Sequence, residues 1–168
     1  MKIIGLCGNI ASGKTYIAIE LRWILDMTFY KKSVILSIAE PIKNIAEHSF
    51  GWDMVKDEKG RKLLQVIGSE CGRAYNPNIW IDKLDNRLKR NDDDAIAIID
   101  DVRFDNEVEY IENMGGVVFR LHRDGSVGDN HISECGITAG RHNIIDIYNN
   151  RKKVDTANNI IEIITTNK

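Results

Sequence analysis

The chain has 168 residues, the size of one domain, and its 43% hydrophobic content suffices for a packed core without covalent staples. Twenty-three Lys plus Arg against 25 Asp plus Glu leave a net charge of −2, which excludes a generally basic nucleic-acid surface but permits a local basic pocket. With 29% charged residues and two prolines, neither wholesale disorder nor a low-complexity chain is expected.

The start, Met1-Lys2-Ile3-Ile4-Gly5-Leu6-Cys7-Gly8, turns to glycine and lysine too soon for a secretory leader. No apolar run reaches the roughly 18–20 residues of a bilayer span. Cys7, Cys71 and Cys135 are odd in number and far apart, so neither a disulfide framework nor a zinc site is expected. The chain reads as a single soluble domain of a reducing compartment.

Apolar runs of strand length fall at 2–7, 33–39, 95–102 and 116–121, with a shorter one at 143–147. They are rich in Ile, Val and Leu without strict alternation, as in strands covered on both faces. Helical patterns lie between them at 14–27, 42–49, 58–73, 79–89, 105–114 and 154–164. Such alternation predicts a three-layer α/β fold, a mostly parallel five-stranded sheet between helices. The stretch between the second and third strands holds more helices than a minimal crossover needs. The polar, glycine-rich stretch from Arg123 to Arg141 is long for a plain connection, as lids and binding loops are.

Directly after the first strand stands Gly8-Asn9-Ile10-Ala11-Ser12-Gly13-Lys14-Thr15, which fits G-x-x-x-x-G-K-[ST]. Glycines let successive backbone N–H groups turn inward around phosphate oxygens, and the following helix adds the positive end of its dipole. Lys14 is placed to reach the β- and γ-phosphates of a nucleoside triphosphate, and Thr15 to ligate Mg²⁺. The third strand ends in Asp100-Asp101, where a carboxylate can hold that ion directly or through water. Neighbouring strand residues face opposite sides, so either aspartate is a candidate.

Arginines supply the rest. Arg103 lies two residues beyond Asp101, and a guanidinium fork matches phosphate oxygens in pairs. Arg61, Gln65, Gly68 and Gly72 share one helical face, with Arg73 just beyond. That strip suits the wall of a ligand pocket as well as an ordinary solvated face. Arg120 and Arg123 precede the glycine-rich stretch, where arginines can neutralise a transferring phosphoryl group. Trp80 and Tyr75 flank Asn76-Pro77-Asn78, and either ring is able to stack on a base or to pack.

The order of these pieces is itself informative. The phosphate loop is followed by Ser37-Ile38-Ala39-Glu40-Pro41-Ile42-Lys43, Arg61-Lys62-Leu63-Leu64-Gln65-Val66-Ile67-Gly68 and the Trp80 segment. Then come Asp101-Val102-Arg103-Phe104 with Asn106-Glu107, the Gly115-Gly116 turn, and His131-Ile132-Ser133-Glu134. Over roughly residues 2–150 this resembles the bacteriophage-type deoxynucleoside monophosphate kinases. That family shares the P-loop nucleoside monophosphate kinase fold with dephospho-coenzyme A kinase, and is similar to animal phosphomevalonate kinase.

The resemblance implies ATP- and Mg²⁺-dependent transfer to the 5′-phosphate of a deoxynucleotide. Carried over by position, Gly8 to Thr15 bind ATP, with Lys14, Asp101, Arg103, Arg120 and Arg123 in catalytic roles. Lys43, Arg61, Gln65, Arg73, Trp80, Arg103, Glu107 and Glu134 become candidates for the acceptor, and Thr15, Asp100 and Asp101 for the metal. It also implies an acceptor-binding insertion at about residues 40–92 and a lid at about 123–141. Small nucleotides are the expected partners, with no nucleic-acid polymer and no membrane, in the cytoplasm (a host's, for a viral chain). Homodimer formation stays open. The alternatives are a P-loop kinase for another phosphorylated small molecule and a nucleotide-binding regulatory module that is not a kinase.

Overall fold

A computed structural model of the chain describes residues 1–124, 136–150 and 152–166. Its strands are β1 (Lys2–Cys7), β2 (Ser33–Leu36), β3 (Ile96–Ile99), β4 (Val117–His122) and β5 (Ile145–Tyr148). The helices are α1 (Lys14–Thr28), α2 (Glu40–Phe50), α3 (Glu58–Gln65), α4 (Ile79–Leu88), α5 (Asp105–Asn113) and α6 (Lys153–Thr166). A π-helical segment, Val66–Arg73, continues α3.

All five strands lie in one sheet of order β2-β3-β1-β4-β5, and every neighbouring pair is parallel. Ile3, Ile4, Leu6 and Cys7 of β1 and all four residues of β3 are buried, which is why their apolar runs do not alternate. The chain leaves β1 toward β2 on one side of the sheet, and leaves β3 toward β4 on the other. The carboxyl ends of β1 and β3 therefore flank the switch point where open α/β sheets bind ligands.

The chain forms two compact units, one of Met1–Leu36 with Asn91–Lys168 and the other of Ser37–Arg90. In the first, Ile17, Leu21, Ile24 and Leu25 of α1 and Ala157, Ile160 and Ile161 of α6 meet Ile4, Leu6, Ile98, Phe119 and Leu121 of the sheet in one apolar core. Glycines appear where chains must nearly touch. A Cβ on Gly5 would stand 2.9 Å from Ile111 Cδ1, and one on Gly116 would stand 2.7 Å from the Ile3 carbonyl.

The second unit holds α2, α3, the π-helical segment and α4. The sequence predicts a single helix over 58–73, whereas the helix widens at Val66. The Trp80 indole N–H donates to the Gly68 carbonyl at 2.8 Å, claiming an acceptor that an α-helix would give to the amide four residues on. Arg87 also donates to the Ser37 carbonyl and pairs with Glu40, fastening α4 to the start of α2. Among the described residues, no helix is long and apolar enough to cross a membrane.

Candidate functional site

The loop between β1 and α1 is bent by three departures from ordinary backbone. Gly8, Ala11 and Gly13 have φ of 131°, 65° and 94°. A Cβ on Gly8 would stand 2.4 Å from the Leu121 carbonyl oxygen, so only glycine fits where the loop leaves the sheet. The Ser12 amide donates back to the Asn9 carbonyl at 3.2 Å, closing the turn, and α1 starts with the Ile17 amide bonded to the Gly13 carbonyl at 3.0 Å. Amides of a helix's first turn have no partner within the helix, so α1 aims its donors into the loop.

Lys14 is drawn over this ring. Its ammonium donates to the Gly8 carbonyl at 2.6 Å, the Asn9 carbonyl at 2.8 Å and Ser12 Oγ at 3.4 Å. The hydroxyl of Thr15 donates to Asp100 Oδ2 at 3.4 Å. The carboxylate of Asp100 thus meets the helix that follows the loop. A hydroxyl beside a carboxylate is an all-oxygen donor pair, the chemistry Mg²⁺ prefers when phosphate oxygens and water complete its shell.

Asn149, which the sequence did not single out, holds the loop from behind. It is buried, its Nδ2 donates to the Ser12 carbonyl at 2.9 Å, and its Oδ1 accepts from the Thr156 hydroxyl at 3.1 Å. A Cβ on Gly13 would stand 2.5 Å from that same Nδ2, so the second glycine of the motif makes room for the asparagine. The only hint in sequence is an amide residue just past an apolar run, which no short motif records.

Arg120 lies within β4, paired in register with Cys7 of β1 and Asp146 of β5. Burial pushes the Cys7 thiol up, opposed by the neighbouring Arg120 guanidinium. Arg120 thus stands near the carboxyl end of the central sheet's fourth strand, where the sequence expects it. Arg123 is exposed just past the end of β4. Of the expected lid, residues 125–135, including Glu134, lie outside the described residues.

The remainder of that segment, from Gly136 to Arg141, rests on the start of α5. Gly136 bridges to Phe104, and the Asp105 amide donates to the Gly136 carbonyl at 3.0 Å. Asp105 accepts from the Thr138 amide at 2.7 Å and hydroxyl at 2.6 Å, and pairs with Arg141 at 3.2 Å. The Thr138 hydroxyl is the main reason its carboxyl lies below the usual carboxylate range, against the push of burial. His142 is wedged between Asp105, 3.2 Å from Nε2, and Glu112, 3.0 Å from Nδ1.

Glu107 is corrected in role. It is buried, and its Oε2 accepts from the amides of Arg103 at 2.7 Å and Phe104 at 3.2 Å. A glutamate at the third helical position reaching back to the residues before the helix is a capping arrangement. It holds the Arg103 backbone in place.

In the second unit, Trp80 is likewise corrected. Its ring is buried, bonded to Gly68, and a Cβ on Gly72 would stand 2.3 Å from its Cζ2. Gly68 in turn faces Ile42 Cδ1 at 3.0 Å from its own Cβ position. These glycines serve close packing, and the exposed ring of the segment is Tyr75. Arg61 is exposed, its Nε donating to the Lys56 carbonyl at 3.0 Å, while Lys43, Gln65 and Arg73 are half-buried.

Residues 42–160 match the deoxynucleotide monophosphate kinase family. The chain belongs to that family. The matched region begins after the phosphate loop, so motif and family are independent observations.

The chain is 27% identical to a protein of Acanthamoeba polyphaga mimivirus named "Putative deoxynucleotide monophosphate kinase", over 98% of this chain and 96% of that one. It is 33% identical to the deoxynucleoside-5′-monophosphate kinase of Escherichia phage T5, over 47% of this chain and 35% of the phage enzyme. Among solved structures, shikimate kinase from Aquifex aeolicus aligns with a TM-score of 0.53 and 12% identity, over 98% of this chain and 97% of that one. Shikimate kinase from Acinetobacter baumannii aligns with a TM-score of 0.52 and 15% identity, over 100% and 95%. These structural likenesses establish the α/β P-loop kinase fold for this member of the deoxynucleotide monophosphate kinase family, a nucleotide phosphotransferase.

Proposed function

We propose that the protein transfers the γ-phosphoryl group of ATP, with Mg²⁺, to the 5′-phosphate of a deoxynucleoside monophosphate. The observation that carries this reading is the Thr15–Asp100 contact beside a glycine-bent loop capped by Lys14, in a member of this family. The loop amides and Lys14 bind and orient the donor's phosphates. Thr15 and Asp100 supply the oxygens for the metal, which when bound neutralises charge on the β- and γ-phosphates.

Arg103 is assigned to the acceptor's phosphate, its backbone held by Glu107. Lys43, Arg61, Gln65 and Arg73 are the acceptor-side candidates of the second unit, with Arg123 assigned to the transferring group. A phosphomonoester acceptor is largely ionised at neutral pH, since its second pKa is about 6, so the reaction asks for alignment and charge neutralisation more than for a base.

The test is a coupled assay of ADP formation with dAMP, dGMP, dCMP, dTMP and their ribose counterparts, with dephospho-coenzyme A and phosphomevalonate alongside. ATP consumption stimulated by one or more deoxynucleotides is the expected result. Stimulation by dephospho-coenzyme A or phosphomevalonate alone, or by no acceptor, overturns the proposal.

A further inference from the structure

The His142 ring is nearly sealed from water, with 4% of the side chain exposed, and both of its nitrogens face a carboxylate. Nε2 stands 3.2 Å from Asp105 Oδ1, and Nδ1 stands 3.0 Å from Glu112 Oε2. The two acids lie at the first and last turns of α5, seven positions apart. Two helical turns set them on one face, with the ring between them.

The partners decide what the ring carries. Asp105 receives the Thr138 amide and hydroxyl, the Arg141 guanidinium and His142. These donors use up the roughly four lone-pair sites of a carboxylate. Glu112 accepts from the Asn143 amide on Oε1 at 2.9 Å and turns Oε2 to the ring. An ionised carboxylate accepts and never donates, whereas a neutral imidazole has one N–H and one bare nitrogen. A neutral ring would therefore point a lone pair at one of the two acids. Charge leads to the same state: with the ring cationic, His142 and Arg141 balance Asp105 and Glu112.

We infer that His142 is a positioning residue, whose doubly protonated ring clasps residues 136–143 to α5 and so fixes the backbone that carries Arg103. The route is short. A Cβ on Gly136 would stand 2.8 Å from the Arg103 carbonyl oxygen and 2.6 Å from Phe104 Cδ1, so the clasped segment lies directly on that backbone. The Asp105 amide donates to the Gly136 carbonyl at 3.0 Å, while Glu107 holds the Arg103 amide from the helix side. The clasp's bonds run between α5 and residues 136–143, away from the Gly8–Thr15 loop, so it should act on the acceptor and spare the donor. The inference rests on the assignment of Arg103 to the acceptor's phosphate.

Two measurements on the full chain test it. The first needs no activity: heteronuclear NMR of protein labelled at histidine nitrogens, with His142 identified by the signal lost in His142→Phe. At neutral pH both ring nitrogens of His142 should carry hydrogen. In Glu112→Gln the side-chain carbonyl can still accept from Asn143 while its NH₂ donates to Nδ1. The ring should then hold a single proton, on Nε2, with every bond of the clasp kept.

The second is steady-state kinetics with each substrate varied in turn. His142→Phe keeps a ring and removes both donors, so kcat/KM for the acceptor should fall by up to roughly a hundred-fold, the effect of a small misplacement. KM for ATP should stay near that of the wild type, and Glu112→Gln should retain the wild-type acceptor kinetics. Should His142→Phe fail to fold, Glu112→Ala, at a position 28% exposed, carries the same kinetic expectation. A single proton on the wild-type ring, an acceptor constant unchanged in the variants that break the clasp, or equal losses for ATP and acceptor overturns the inference. Those results leave wild-type phosphoryl transfer in place. A wild-type protein that phosphorylates no deoxynucleotide overturns the proposed function and this inference together.

Discussion

Asn149 and Ser12 are 137 positions apart, yet the asparagine's Nδ2 donates to the Ser12 carbonyl at 2.9 Å in the buried floor of the phosphate loop. The junction of β5 and α6 thereby fixes the loop from the side away from any ligand. Asn149→Ala leaves the Ser12 carbonyl and the Thr156 hydroxyl without this partner and opens space beside Gly13. A loss of about 1–3 kcal/mol in unfolding free energy is expected, with a rise in KM for ATP exceeding any change in KM for the acceptor. Equal changes in both constants would assign Asn149 to general stability alone.

Lys14→Ala should abolish turnover while thermal unfolding stays near that of the wild type, since the bonds it loses to the Gly8 and Asn9 carbonyls lie within its own loop. Asp100→Asn should raise the Mg²⁺ concentration for half-maximal rate by roughly ten- to a hundred-fold, in line with disrupted support of a bound metal. Asp101→Asn should do so much less. Titrations of rate against Mg²⁺ for the two variants check this, and a reversed order would move the metal role to Asp101.

Arg103 is held by its backbone amide, which donates to Glu107 at 2.7 Å. Arg103→Ala keeps that bond, so the loop should persist while the guanidinium is lost. The expected effect is a higher acceptor KM or a lower kcat, with ATP binding nearly unchanged. Steady-state kinetics with each substrate varied in turn decide it; an unchanged acceptor profile removes Arg103 from the site.

Asp105 gives the protein an acid-sensitive joint. Its carboxyl is lowered by the Thr138 hydroxyl above all, then by the Thr138 amide, Arg141 and His142. The unfolded chain takes up this proton at a higher pH than the folded one. The contribution to stability is therefore present above the ordinary aspartate value and is lost as pH falls from there through the lowered folded value. Unfolding free energies measured from about pH 6 to pH 2 should fall less steeply in Asp105→Asn than in the wild type. Superimposable acid limbs would show that the joint contributes nothing.

Gly72 faces the Trp80 ring, with 2.3 Å between a Cβ and Cζ2. Gly72→Ala should destabilise the protein by about 1–3 kcal/mol through overpacking. Gly115→Ala meets no atom within 4 Å, but its φ of 72° carries a backbone cost of its own. Denaturant midpoints for both separate steric crowding from backbone strain.

Much of the fold was legible because local chemistry and tertiary packing agree. Apolar runs rich in Ile and without alternation at 2–7 and 96–99 made strands buried on both faces, and Gly8 and Gly13 made a loop that bends where they permit. The roles of Trp80 and Glu107 were not legible in the sequence for one reason. An aromatic ring or a carboxylate looks the same in sequence whether it faces a ligand or a neighbouring carbonyl or amide, and burial decides which. His142 was not assigned a role, yet two carboxylates from α5 enclose it.

The sequence by itself determined the almost balanced charge and the run Gly8–Thr15 whose spacing predicts phosphate binding. Residues that cradle phosphate are consecutive, so their spacing carries the mechanism. The tertiary structure alone decided that Asp100 meets Thr15, that Asn149 braces Ser12 and that His142 stands between Asp105 and Glu112. Those are relations between distant segments, and they exist only once the chain has closed upon itself.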